Sequence, residues 1–187
     1  MSTNTPTKVI TGKQTRWSYV NVWEPKSIDG GKAKYSISLI IPKTDTETIG
    51  RIEAAIEAAY KEGESKLKGN GKSVPPLAAI KTPLRDGDVE RPDDPAYAGA
   101  YFVNANSDSQ PGIVDAKKQE IIDRSEVYSG CYGRASINFY AFNTNGNKGI
   151  ACGLNNLQKI ADGESLGGKT RAEDDFDIED DEDDFLG

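Results

Sequence analysis

Aromatic and basic side chains are interleaved on two segments that have the alternation of β-strands. In residues 13–26 the aromatic and basic side chains are Trp17, Tyr19, Trp23, Lys13, Arg16 and Lys26. Further along, Tyr132 and Tyr140 flank Arg134, in a stretch from Val127 to Ala161 that has no acidic residue. Every nucleobase has a face on which an aromatic ring can stack, while Lys and Arg neutralise phosphates. The pattern predicts a surface for single-stranded nucleic acid, although any one of these rings could belong to the core instead.

A phosphate-loop motif is present in the C-terminal region. The run GESLGGKT from Gly163 to Thr170 matches G-x-x-x-x-G-K-[ST], with Lys169 and Thr170 in the phosphate and magnesium positions. A phosphate loop needs a parallel sheet and a following helix, yet only 17 residues follow Thr170 and most of them are acidic. A flexible Gly-rich hinge over residues 163–172 is therefore the preferred interpretation, and a nucleotide-dependent enzyme is the less favoured one.

A cluster of four acidic residues offers a second alternative, a Mg²⁺ or Ca²⁺ site. Its carboxylates do not have the EF-hand spacing, so a solvated turn is the preferred interpretation and no metal or other cofactor is expected. The four residues are Asp86, Asp88, Asp93 and Asp94.

The composition argues against most hydrolytic chemistry. The chain has no histidine, which removes Ser-His-Asp and Cys-His nucleophile systems and the His-bearing zinc sites. Cys131 and Cys152 are far apart in the sequence and are predicted to be reduced thiols in the core. We expect a protein that is not an enzyme.

Charge divides the chain into a mildly basic body and an acidic tail. Residues 173–187 contain ten of the 30 acidic residues and no base, so the other 172 residues hold 20 acids and all 23 bases. Such a tail has too little apolar surface to fold and is predicted to be disordered. Its charge and aromatic residues are typical of a segment that recruits a protein partner. The expected contacts are Asp174, Asp175, Phe176, Asp180, Asp181, Asp183, Asp184 and Phe185.

The chain has the length of one domain and is expected to remain in the cytoplasm. Its 187 residues suit a single well-buried core. No run of about 18 apolar residues is present, as a membrane span would need, and Met1 to Thr7 lacks the apolar core of a signal peptide.

Alternating segments predict six or seven short strands and one helix. Thr44 and Glu47 have the spacing of a capping box, and an apolar stripe follows until the helix fades near Gly63. The run from Thr82 to Pro95 is predicted to be an irregular loop, and Asn145-Gly146 to be a hairpin turn. The pattern favours a small antiparallel barrel. The predicted strands are Val9–Thr11, Thr15–Trp23, Lys34–Ile41, Gly99–Ala105, Gly112–Asp115 with Glu120–Ile122, Cys131–Phe142 and Lys148–Leu157.

Four long segments resemble a family of phage-encoded single-stranded-DNA-binding proteins of replication and recombination. They are PLRDGD at 83–88, GAYFVNANS at 99–107, VYSGCYGRASINFYAFN at 127–143 and KGIACGLNNLQKIADGE at 148–164. The resemblance extends over roughly residues 8–185. It implies an oligonucleotide-binding (OB) fold, a mainly β Greek-key barrel with one inserted helix, in residues 8–162. It also implies an acidic tail that ends near an aromatic residue, and here Phe185 is not terminal because Leu186 and Gly187 follow it. Residues 1–7 are expected to be a flexible N-terminus.

The resemblance implies single-stranded DNA as the ligand. It also implies a DNA polymerase, helicase, primase or recombinase as the partner of the tail, with a homodimer as a further possibility. A barrel module of protein interaction or of the virion, without DNA binding, is the alternative. The expected DNA-binding residues are Lys13, Arg16, Trp17, Tyr19, Trp23, Lys34, Arg85, Tyr101, Tyr132, Arg134, Tyr140 and Lys148.

Overall fold

The alternating segments form the strands of a mixed β-sheet. The structure is a computed structural model and describes residues 6–27 and 30–166. Within these residues the strands are β1 Lys8–Ile10, β2 Arg16–Lys26, β3 Lys34–Pro42, β4 Leu84–Asp86, β5 Ala100–Ser107, β6 Gly112–Val114, β7 Tyr132–Thr144 and β8 Asn147–Ala161. The helices are α1 Thr46–Glu62, α2 Glu64–Lys68 and α3 Gly87–Glu90, with 3-10 turns at Leu77–Ala79, Pro95–Tyr97 and Arg124–Glu126.

Five of these strands close into a barrel. β7 pairs with β2, β2 with β3, β3 with β5, β5 with β8, and β8 with β7 again. A ring of five strands cannot be antiparallel throughout, because five is odd, and the pair β5–β8 is parallel, with Asn106 opposite Gly153. The mainly β barrel with an early helix is confirmed, and its description as antiparallel needs this one correction. β1, β4 and β6 extend the barrel by pairing with β7, β5 and β8.

Strand alternation places the apolar core inside the barrel. On β7, Ala135, Ile137 and Phe139 are buried while the side chains between them point outward, as the sequence predicts. The turn to β8 uses Asn145 and Gly146 at φ of 53° and 86°, the left-handed conformations that this type of hairpin needs. The barrel wall at β7 and β8 is thus the part of the fold that local sequence predicts best.

Helix α1 packs its apolar stripe against the barrel. Ile49, Ile52, Ile56 and Ala59 are buried on that stripe. The N-cap is Asp45 rather than Thr44, because its carboxylate accepts a hydrogen bond from the Thr48 backbone N–H. The helix therefore begins one residue later than the predicted capping box requires.

Replacing Asp45 by Ala is expected to lower the free energy of unfolding by about 1 kcal/mol, the usual effect of losing an N-cap side chain. Urea unfolding followed by circular dichroism measures this loss, and Asp45→Asn, which retains an acceptor oxygen, is the control. A variant as stable as the parent would show that this cap contributes nothing to α1.

Two loops differ from their predicted structure. The segment predicted as irregular from Thr82 to Pro95 contains β4 and α3, because β4 can add to the free edge of β5 and Asp86 caps α3 through the Asp88 N–H. The predicted hairpin at 112–122 has only one strand, β6. Its second arm makes a single bridge, from Glu120 to Val114.

Both cysteines are free and buried, in agreement with their prediction as core thiols. Burial raises the pKa of each thiol above its ordinary value. Among the described residues, no group of acidic or cysteine side chains is arranged to hold a metal ion, and no helix is long and apolar enough to span a membrane.

Candidate nucleic-acid interface

The outer face of β2, β3 and β5 carries small polar side chains in register. Their neighbours along each strand, such as Ile37 on β3 and Ala105 on β5, point into the core. Two cross-strand rows result, with Ser18, Ser38 and Asn104 in the first and Asn21, Ser36 and Asn106 in the second. Ser18 and Ser38 are buried, Asn104 is exposed and the second row is half-buried, so these two rows are polar and contain no bulky group.

Tyr19 and Arg91 stand at the edge of this polar face. Tyr19 has φ of +47°, in the left-handed region that bulky residues rarely adopt, and the β2–β3 register shifts just after Ser18. The bulge turns the Tyr19 side chain out of the strand's alternation, so that it is 55% exposed. The Arg91 guanidinium lies 5.3 Å from the centre of the Tyr19 ring, and one of its nitrogens is 3.5 Å from the Tyr19 hydroxyl.

Tyr19, Arg91 and the polar side chains of the face line an open groove of about 340 Å³. Its floor is the outer face of β3 and β5, and its wall contains an aromatic ring and two cationic groups. The lining residues are Tyr19, Asn21, Lys26, Ser36, Ile37, Ser38, Arg91, Asn104, Ala105 and Asn106. Lys34, a predicted DNA-binding residue, is exposed and pairs with Lys26 across the strands beside this groove. The groove combines the stacking and charge-neutralising groups that a nucleotide chain requires.

The other end of the same face is apolar and covered. Ile40 and Phe102 form a small second cluster there, beneath the edge of the Tyr97 ring, whose centre is 5.0 Å from that of Phe102. The Tyr97 hydroxyl lies 2.9 Å from the Ser38 hydroxyl. Leu166 packs against this cluster. The last described residues of the chain therefore end next to the groove.

Arg16 and Tyr132 hold this last segment against the barrel. Arg16 donates hydrogen bonds to the carbonyl oxygens of Gly130, at 3.0 Å, and Glu164, at 2.7 Å. Its guanidinium lies 5.4 Å from the Tyr132 ring centre. Gly130 has φ of +121°, and a Cβ there would lie 2.0 Å from the Glu164 carbonyl oxygen, so only glycine permits this approach.

Trp17 is a core residue, which corrects its assignment to the DNA-binding surface. Its side chain is 0% exposed and its indole N–H donates to the Gly133 carbonyl at 3.2 Å. No face of a fully buried ring is available to a base. Unbroken strand alternation would place Trp17 and Tyr19 on one face, and the bulge at Tyr19 breaks that alternation.

Trp23 and Tyr101 are half-buried and pack against the main core. The Trp23 indole N–H points at the Val127 carbonyl, 3.4 Å away, with the Arg124 guanidinium 6.0 Å from its ring. Tyr101 lies beneath the Lys43 ammonium group, 5.2 Å from its ring centre. Neither ring belongs to the groove.

The same ammonium group pairs with two of the four residues in the acidic cluster. Lys43 forms ion pairs with Asp86 at 2.9 Å and with Asp88 at 2.8 Å. The hydrogen bond from Lys43 holds the pKa of Asp88 below its ordinary value, and the Asp88 carboxylate also accepts from the Gly99 N–H. The two carboxylates thus anchor the segment that carries Arg91.

The remaining predicted DNA-binding residues are dispersed over other surfaces. Arg134 donates to the Thr11 carbonyl at 3.2 Å, and Tyr140, 43% exposed, has a pKa raised by its partial burial. Lys13 is exposed to solvent. The Arg85 guanidinium lies 2.8 Å from the Glu90 carboxylate, and the Lys148 ammonium group lies 3.5 Å from the Lys68 carbonyl oxygen. The structure therefore brings Arg16 together with Tyr132, and places Tyr19 and Lys34 at the groove, but does not unite all twelve residues.

Sequence reasoning missed several groove residues. Arg91 lies in the segment predicted to be an irregular loop, and nothing local connects it to Tyr19. A signal for four of the others existed in residues 35–38 of β3 and 103–106 of β5, where apolar and small polar residues alternate. The missed residues are Asn21, Ser36, Ser38, Arg91, Asn104 and Asn106.

The predicted partner-binding tail lies outside the described residues, as do residues 167–172 of the predicted hinge. The tail contacts concerned are Asp174, Asp175, Phe176, Asp180, Asp181, Asp183, Asp184 and Phe185.

A closed five-strand barrel with an aromatic and basic groove on its outer face defines an OB-like protein of the nucleic-acid-binding class. A family model described as "Enterobacter phage Enc34, ssDNA-binding protein" matches residues 7–186. The chain belongs to this family. The family and the named structures below are single-stranded-DNA-binding proteins, which confirms the predictions of such a family and of a protein that is not an enzyme.

Individual relatives match over most of the chain. Protein p50 of Acyrthosiphon pisum secondary endosymbiont phage 1 is 30% identical over 171 residues, covering 87% of this chain and 89% of p50. The single-stranded DNA-binding protein of bacteriophage Enc34, solved in complex with single-stranded DNA, is 28% identical with a TM-score of 0.67 and coverage of 86% and 88%. The single-stranded DNA binding protein gp2.5 of bacteriophage T7, 14% identical with a TM-score of 0.60 and coverage of 88% and 97%, shares the fold.

Proposed function

We propose that this protein binds single-stranded DNA without strong sequence preference, during the replication, recombination or repair of phage DNA in the cytoplasm of an infected bacterium. The observation that carries the proposal is the family match over residues 7–186. The relative solved with single-stranded DNA supports the same ligand.

The groove supports the proposal with suitable chemistry. Tyr19 presents an exposed ring for stacking, and Arg91, Lys26 and Lys34 surround it with positive charge. An aromatic ring stacks on the face of any base, and cationic groups neutralise phosphates whatever the sequence, which supports binding without strong sequence preference. A homodimer stays part of the proposal as a further arrangement of the same barrel.

We further propose that the acidic tail recruits a DNA polymerase, helicase, primase or recombinase and competes with DNA for the groove. The support is positional: the described chain ends at Leu166, which packs on the apolar cluster beside the groove. The tail follows Leu166 after only six residues, so it is tethered close to the groove and reaches it at a high effective concentration. Bound DNA would displace it and make it available to the partner.

The test is a titration of single-stranded and duplex DNA at several salt concentrations. Binding should favour the single strand and weaken steeply with salt, because phosphate contacts release counterions. Equal or tighter binding of the duplex would contradict the proposal.

Replacing Arg91 by Ala should weaken binding to all sequences and reduce the salt slope by about one phosphate contact. The matched control is Arg51→Ala, which removes the same charge from an exposed position on α1, where Arg51 pairs with Glu47. If both variants change the slope equally, Arg91 acts only through net charge and does not contact DNA.

A further inference from the structure

Two carboxamides in the groove have no hydrogen-bond partner among the described residues, namely those of Asn104 and Asn106. Their neighbours are engaged: the Asn21 amide donates to the Tyr19 carbonyl at 3.2 Å and to the Ser36 hydroxyl at 3.3 Å. Asn104 is exposed and Asn106 half-buried, and both line the groove. Each carboxamide presents one acceptor oxygen and two N–H donors to whatever enters.

We propose that Asn104 and Asn106 form a nucleobase-edge subsite, in which they hydrogen-bond to the edge of a base whose face stacks on Tyr19. This inference rests on the proposed function and adds that side chains on the groove floor hydrogen-bond to bases. Because a carboxamide offers a donor beside an acceptor, it complements the paired donor and acceptor groups found on base edges. The subsite therefore distinguishes a base from a bare sugar–phosphate chain.

The dimensions of the groove suit this arrangement. Residues two apart on a strand are separated by about 7 Å, so Asn104 and Asn106 span a length comparable with a base edge. The groove volume of about 340 Å³ is roughly ten times the volume of a water molecule, which leaves room for a base. Tyr19 stands at the wall with 55% of its surface exposed, which allows a base to lie against it.

The backbone of Tyr19 supports the same assignment. A tyrosine at φ of +47° is held in a sparsely populated conformation, and such positions cluster at binding sites. Arg91 lies 4.9 Å from the Tyr97 ring, 5.1 Å from the Phe102 ring and 5.3 Å from the Tyr19 ring, which fixes the wall above the carboxamides. The ring and the floor are thus positioned before a base enters.

The experiment compares binding of an oligo-dT with binding of an abasic oligonucleotide of equal length, which has the same phosphates and no bases. The parent protein should bind oligo-dT at least tenfold more tightly. The double variant N104A/N106A should lower this preference severalfold, to what stacking on Tyr19 alone provides, while its affinity for the abasic chain stays unchanged. Asn147→Ala, which removes a carboxamide from the exposed hairpin between β7 and β8, is the matched control and should retain the preference.

The outcomes separate the subsite from the proposed function. If N104A/N106A weakens binding to both oligonucleotides by the same factor, or to neither, the carboxamides do not contact bases and the inference is wrong. Salt-dependent binding of oligo-dT would still be present in that case, and the proposed function would stand. If the parent protein binds neither oligonucleotide, the proposed function itself fails.

Discussion

Replacing Trp17 by Ala is expected to lower the free energy of unfolding by about 3–5 kcal/mol, the range for removal of a large buried aromatic side chain. The ring is fully buried and its N–H donates to the Gly133 carbonyl, so the substitution leaves a cavity and removes a buried hydrogen bond. The packing is also tight, since a Cβ on Gly133 would lie 2.4 Å from the Trp17 ring. A domain of ordinary stability would lose a large part of its free energy of unfolding.

The measurement is urea unfolding of the variant, and Tyr19→Asn is the contrasting variant. Asparagine tolerates the left-handed backbone of residue 19, so this change removes the exposed ring without adding strain. It should leave stability nearly unchanged and reduce the affinity for single-stranded DNA by about 1–3 kcal/mol. A stable Trp17→Ala protein with weakened DNA binding would reverse the two assignments.

Deleting Glu173–Gly187 is expected to tighten the binding of single-stranded DNA at low salt and to abolish recruitment of the partner. The deleted segment carries ten acidic side chains and follows, after six residues, the segment that Arg16 and Leu166 hold beside the groove. A tethered segment has an effective concentration near millimolar. If it binds the groove with a Kd of about 0.1 mM, its removal tightens DNA binding roughly tenfold.

Salt and matched variants test this mechanism. The gain from deletion should shrink as salt rises, because ions screen the tail from the basic groove. A tail with every Asp and Glu changed to the corresponding amide should behave as the deletion does. Changing Phe176 and Phe185 to Ala should preserve the competition with DNA but weaken the binding of the tail to its protein partner. If the shortened protein binds DNA no more tightly at low salt, the tail does not occupy the groove.

Local sequence was sufficient to predict the barrel wall and the main helix. The alternation on β7 and the Asn145-Gly146 turn depend on backbone preferences and side-chain period, which act between near neighbours. The stripe on α1 depends in the same way on helical period, and only its cap was displaced by one residue. The separation of a basic body from an acidic tail is likewise a property of composition alone.

The groove was decided by contacts between distant segments. The bulge at Tyr19 comes from the pairing of β2 with β3, and it buries Trp17 while exposing a ring two residues away. Arg91 reaches Tyr19 across 72 residues, on a segment anchored by Lys43 through Asp86 and Asp88. The two-residue period of a strand predicts polar side chains on one face of β3 and β5. It does not predict that these strands are neighbours or that the segment with Arg91 lies over them, because both depend on long-range packing in the closed barrel. Only the tertiary structure therefore combines an aromatic ring, a guanidinium group and two carboxamides in one site.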